Sequence, residues 1–118
     1  MNRELLFFVE GTPRPKQSFR YSKKGHYIPA RVRAWQDAVA WAAQQEMAGD
    51  EPMEGELSVS LTFYRPNKVR CDLDNLSKAV LDAMNGIVYE DDKQVVDLKL
   101  VKLYSKEYPG CRVRVIER

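Results

Sequence analysis

The chain has a single histidine, His26, and only two cysteines, Cys71 and Cys111, in its 118 residues. No C-x-x-C pair or comparable ligand spacing is present, which excludes a structural zinc module. A reducing compartment and free thiols are the simplest reading of this pair. Long apolar runs are also missing. The runs Leu5 to Val9 and Ala38 to Ala43 both fall far below the ~20 residues that span a bilayer. Glu4 interrupts the N-terminal segment, so no secretory signal is readable and a cytoplasmic protein without membrane association is expected.

Acids are absent from Gly11 to Arg33, where Arg14, Lys16, Arg20, Lys23, Lys24, Arg31 and Arg33 all lie. Bases are absent from Asp37 to Glu56, which carries six acids. The net charge of only +2 hides this asymmetry. A block of one sign is either a face for phosphate or a solvated loop. With 44% hydrophobic and 31% charged residues, the chain has a globular rather than a disordered profile. Its length predicts one domain over 1–118, burying roughly two thirds of the surface of the unfolded chain.

Periodicity sets out the elements. Glu4–Glu10 reads as a strand, its continuous apolar stretch implying cover on both faces. Gly11, Pro13 and Pro15 end it, and a long basic loop runs to about Pro29. Arg31–Ala48 reads as a helix, with Val32, Trp35, Val39 and Ala42 at helical spacing and Gly49 at its stop. In Gly55–Arg65, Leu57, Val59, Leu61 and Phe63 alternate with Ser58, Ser60, Thr62 and Tyr64, as in a half-buried strand. Leu73–Asn85 reads as a second helix with Leu76, Val80 and Ala83 or Met84 buried and Asn85-Gly86 as the stop. Gln94–Tyr104 and Gly110–Ile116 read as strands. The apolar phase of the first shifts at 100/101, which predicts a bulge or two-sided burial there. The order β-α-β-α-β-β predicts an α+β fold: a four-stranded mixed sheet, two helices over one face, and an antiparallel hairpin from the last two strands.

The chemistry concentrates in Cys71-Asp72-Leu73-Asp74-Asn75-Leu76-Ser77-Lys78. Two residues apart within a helix, Asp72 and Asp74 would point away from each other. At a strand-to-helix corner they can converge, and Lys78 then stands one turn above Asp74. Paired carboxylates repel unless a cation intervenes, and hard oxygen donors with open positions suit Mg²⁺. Glu90-Asp91-Asp92 follows the helix and offers a further carboxylate. Three acids and a lysine form a set suited to phosphodiester hydrolysis. The other readings are that Asp72 caps the helix, Asp74 favours its positive end, and Asp91-Asp92 are turn residues. Asp82, four residues after Lys78, reads as a surface ion pair or as a further ligand.

These residues together carry a resemblance. Asp72-x-Asp74-Asn75-x-x-Lys78-x-x-x-Asp82-x-x-Asn85-Gly86, then Asp91-Asp92-x-Gln94-Val95, resembles the RusA family of Holliday junction resolvases of bacteria and their prophages. Gly11-x-Pro13-x-x-Lys16-x-x-x-Arg20 resembles the basic loop of phage-type members, and the match runs over essentially the whole chain. The resemblance implies a Mg²⁺-dependent homodimer that nicks a four-way DNA junction symmetrically in a bacterial or phage-infected cell. By the same resemblance Asp72, Asp74 and Asp92 are the metal ligands and Lys78 is the catalytic lysine. Asn75 supports the acid pair, and Asp91 stands beside Asp92. Some members carry a base before the first aspartate, where this chain has Cys71; Lys68 or Arg70 then provides the charge. Arg14, Lys16, Arg20, Lys23, Lys24, Lys68 and Arg70 are the expected DNA contacts. Phe19, Tyr21 and Tyr27 either stack at the branch point or pack on their own domain. Trp35 and Trp41 read as core or dimer-interface residues. The rival readings are a less selective nuclease for flaps or forks and a non-catalytic branched-DNA-binding protein of the same fold.

Overall fold

A computed structural model describes residues 3–16, 21–22, 25–26 and 28–118. Strand β1 (Glu4–Glu10) leads into the basic segment, where β2 (Tyr21–Ser22) and β3 (Gly25–His26) pair as a minimal antiparallel hairpin. Helix α1 (Ala30–Met47), strand β4 (Leu57–Arg65), helix α2 (Leu73–Met84), a 3-10 turn (Asp92–Gln94), and strands β5 (Val95–Tyr104) and β6 (Gly110–Glu117) follow. Ala48 ends α1 in the left-handed region, its N–H bonding to the Gln44 carbonyl, and Gly49 continues with positive φ. No helix among the described residues is long and apolar enough to cross a membrane.

The main sheet has the order β1-β6-β4-β5. β6 runs antiparallel to both β1 and β4, whereas β5 runs parallel to β4. The last two strands therefore do not form the hairpin that their adjacency in sequence predicts. Helix α2 provides the crossover that parallel β4–β5 pairing needs. Asp97, Lys99 and Lys102 then suit β5 to the sheet edge, where charged side chains stay wet. β6 takes a central place and buries Cys111, Val113 and Val115. The connection of residues 105–109 is long enough to step past the end of β4, and the Ser105 N–H bonds to the Arg65 carbonyl there.

The alternation of β4 places Leu57, Val59, Leu61 and Phe63 beneath the helices. They pack with Leu5 and Val9 of β1, Trp35, Val39, Ala43 and Met47 of α1, and Leu76, Ala79, Val80 and Met84 of α2. Ala43 occupies the buried position expected of Ala42, one step along the helix. Trp35 is in the core, while Trp41 is 64% exposed. β1 is not covered on both faces. Leu6 and Phe8 are 54% and 43% exposed on the face away from the helices, so its apolar run reflects an open surface as well as the core. The bulge in β5 also differs from expectation. The pairing slips between Leu57 and Ser58, which face Val95 and Asp97, so Val96 is the extra residue rather than one at 100/101. Gly110 lacks a side chain where the Phe8 ring and the Val9 carbonyl lie.

Candidate active site

β4 ends at Arg65, and residues 66–72 turn the chain into α2. Asp72 is the last extended residue, with φ −78° and ψ 135°, and its side chain makes no capping hydrogen bond. The capping role is thus not what occupies this carboxylate. Asp74 lies in the first helical turn, where the helix dipole favours its charge. Its Oδ1 accepts the Asn75 N–H at 3.0 Å, while the Ser77 hydroxyl donates to its carbonyl at 2.8 Å. Asp72, Asp74 and Lys78 are exposed, and Asn75 is half-buried. Leu76, Ala79, Val80 and Met84 hold the opposite side of α2 in the core, which fixes the acid-bearing side outward.

A second acidic group gathers at the other end of α2. Asp91 caps the 3-10 turn: its Oδ1 accepts the Lys93 N–H at 2.9 Å, and Gln94 Oε1 accepts the N–H groups of Glu90 and Asp91. Gln94 Nε2 in turn donates to the carbonyls of Met53 and Gly55. Asp91 is therefore a turn residue. Asp92 instead faces Asp82, and burial, followed by the Asp82 and Asp91 carboxylates, pushes its own carboxyl above the ordinary aspartate value. Beneath them the fully buried Tyr89 donates its hydroxyl to the Leu81 carbonyl at 2.7 Å. Burial, with Asp92, Asp82 and Asp91 adding to it, pushes that phenol upward and keeps it protonated.

Asp74, Lys78 and Asp82 follow one another at intervals of four residues along the exposed side of α2. Eight residues of helix separate the first from the last by roughly 12 Å. The Asp72–Asp74 corner and the Asp82–Asp92 group thus stand at opposite ends of the helix, with Lys78 between them. Among the described residues no three His, Cys, Asp or Glu side chains come together to hold a metal ion. The partner of Asp82 is Lys16, whose ammonium bonds to it while the Lys16 N–H donates to the Asn75 carbonyl at 2.9 Å. Lys16 is thereby pinned along α2 and engaged by a carboxylate.

Sequence reasoning did not pair Asp82 with Asp92; the only signal was its position four residues after Lys78. Two further cations went unnoticed. Lys102 Nζ donates to the Cys71 carbonyl, and the buried Arg65 donates from Nη1 to the Val69 carbonyl at 3.4 Å. Lys68 and Arg70 are exposed in the same connection, and the Lys68 ammonium is 5.8 Å from the Tyr104 ring centre. Arg14 is half-buried. Phe19, Arg20, Lys23, Lys24 and Tyr27 lie outside the described residues, and Tyr21 is described only as part of β2. Both cysteines are free and buried, as expected for a chain without disulfides.

A family model described as Endodeoxyribonuclease RusA matches residues 10–116. The chain is 32% identical to the Bacillus subtilis uncharacterized protein YqaN, with 96% of each chain covered. It is 27% identical to the crossover junction endodeoxyribonuclease RusA of Aquifex aeolicus, over 95% of this chain and 90% of that one. The protein of the same name from Escherichia coli K12 is 30% identical over 77% of this chain and 76% of its own.

Proposed function

This chain belongs to the RusA family of endodeoxyribonucleases, and from that premise we propose that it resolves Holliday junctions as a Mg²⁺-dependent homodimer in the bacterial cytoplasm. What carries the reading is the corner at the start of α2, where the Asp72 carboxylate is not used for capping and Asp74 and Lys78 follow on the same exposed side.

The donor chemistry suits a hard divalent cation, although the described residues do not gather all three acids at one point. Asp72, Asp74 and Asp92 are all carboxylates, and the nearby Cys71 thiol does not compete because burial pushes its pKa up. The crowding of Asp92 by Asp82 and Asp91 is a repulsion that a bound cation relieves. Asp72 and Asp74 would hold Mg²⁺ at the corner, which when bound supplies an activated water and offsets phosphate charge; Asp92, beside Asp82 at the far end of α2, stands apart from that pair and would take part through a second ion. Lys78, one turn beyond Asp74, directs its ammonium at the same phosphate and stabilises the charge that builds on its oxygens. Asn75 fixes the first turn through its backbone, which the Lys16 N–H holds.

Arg14, Arg20, Lys23 and Lys24 of the basic segment, which Lys16 anchors on Asp82, and the connection carrying Lys68 and Arg70 bind phosphates without reading sequence. Binding therefore weakens steeply with salt. A four-way junction has approximate twofold symmetry, and a twofold dimer presents two identical sites to it. The sheet face opposite the helices, with Leu6 and Phe8 exposed, offers apolar area for that contact.

The test is cleavage of a synthetic four-way junction beside a linear duplex, a flap and a fork, in Mg²⁺ and in EDTA. Cutting restricted to the junction and dependent on Mg²⁺ is expected. Equal cutting of flaps and forks would replace the resolvase with a less selective nuclease. Junction binding without cutting would replace it with a DNA-binding relative.

A further inference from the structure

Lys102 lies on β5 opposite Phe63 of β4, and parallel partners project to the same side of a sheet. Its side chain therefore leaves the sheet on the side covered by the helices rather than on the open one. There it reaches across 31 positions of sequence and donates to the Cys71 carbonyl. That carbonyl belongs to the peptide joining Cys71 to Asp72. A peptide group is planar, so holding its oxygen also fixes the direction of the Asp72 N–H and the start of the Asp72 backbone. Asp72 is extended and lacks a side-chain capping bond, so its own carboxylate does not fix that orientation. The connection behind it is held in a similar manner, by Arg65 on the Val69 carbonyl and by the Val69 N–H on Asn67 Oδ1.

We propose that Lys102 is a positioning residue for the nuclease site: through the Cys71 carbonyl it sets the corner from which Asp72 and Asp74 project. The bland reading is an edge-strand lysine that only keeps β5 from pairing with another chain. Lys99 satisfies that reading, because it pairs with Ser60 and projects from the open face. Lys102 does not, because its ammonium is bonded to a carbonyl of a different element.

The inference rests on the nuclease reading above, and the experiment separates the two. Lys102→Met removes the donor while keeping the unbranched stem of the side chain, and Lys102→Arg restores a cationic donor. Three quantities are compared with the parent: junction affinity in EDTA, the single-turnover cleavage rate in Mg²⁺, and the amide resonances of Asp72 to Asn75 in the metal-free protein. In Lys102→Met the Asp72–Asn75 amides shift or broaden, affinity changes less than about twofold, and cleavage slows by about 10- to 100-fold, as for a small misplacement of reacting groups. Lys102→Arg recovers most of the rate. Unmoved amides, or cleavage in Lys102→Met within about twofold of the parent, would overturn the assignment. If Lys102→Met fails to fold, Lys102→Gln takes its place, with the same readouts and the same criteria. A parent that does not cut any branched DNA refutes the nuclease reading, while the amide comparison still decides whether Lys102 sets the corner.

Discussion

Replacing Asp92 with asparagine should make the metal-free protein more stable while abolishing its cutting. In the folded chain Asp92 faces Asp82 and adjoins Asp91, and burial and these charges hold its carboxyl above the ordinary value. A raised folded pKa means that ionised Asp92 costs stability. The penalty is complete above the folded pKa, is relieved as pH falls through it, and vanishes below the unfolded pKa. Asparagine keeps the shape and removes the charge. Half-exposed like-charge contacts of this kind are worth about 0.5 kcal/mol each, so relief of two gives about 1 kcal/mol. In a domain of this size that is a rise in Tm of roughly 4 °C. The assay is thermal unfolding of the parent and Asp92→Asn in EDTA at pH 7 and again near pH 4. Asp92→Asn should melt higher at pH 7, with the gap closing at the acid end. With Mg²⁺ the parent should gain stability that the variant does not. A lower Tm for Asp92→Asn at pH 7 in EDTA would refute the reasoning, because the carboxylate would then be a structural acceptor.

Asp72→Asn and Asp74→Asn should each lose cleavage below detection while junction affinity in EDTA stays equal or tightens, because carboxylate–phosphate repulsion falls; gel shift and cleavage on one labelled junction read both. Burial pushes the Cys111 thiol up to about 12 and raises that of Cys71 as well. Native protein at pH 8 should therefore resist iodoacetamide, and both thiols should react once urea unfolds it, as mass spectrometry would show. Raising the pH above 9 should cost stability as the unfolded Cys111 ionises and the folded one does not. Gly110→Ala should destabilise the fold by about 1–3 kcal/mol in urea unfolding, since the new methyl meets Phe8 and the Val9 carbonyl.

The elements that were legible in sequence are those whose local pattern and tertiary environment agree. β4 alternates over its whole length and is half-buried as its alternation requires. Helix α2 starts and stops where Asp72 and Asn85-Gly86 say it should. Strand order was not legible in the same way. Nothing local in β5 or β6 states that β4 lies between them, because that order follows from the crossover through α2. The exposure of Leu6 and Phe8 was also hidden, since a run of apolar residues reads alike whether its second face is covered or left open. At the site, the Asp-x-Asp corner and Lys78 came from spacing. The choice between Asp91 and Asp92 became physical only with the hydrogen bonds of Gln94, which assign Asp91 to the turn. The pairing of Lys16 with Asp82, and of Lys102 with the Cys71 carbonyl, joins residues far apart in sequence that no periodicity connects.

The central claim is that the Asp72–Asp74 corner cuts four-way junctions in symmetric pairs. Its most direct test is a junction with each strand end-labelled in turn, incubated in Mg²⁺ with the parent and with Asp74→Asn, the products resolved at nucleotide level. The account predicts nicks at matching positions on two opposed strands for the parent and none for the variant. Nicks scattered over all four strands, or undiminished cutting by Asp74→Asn, would contradict it.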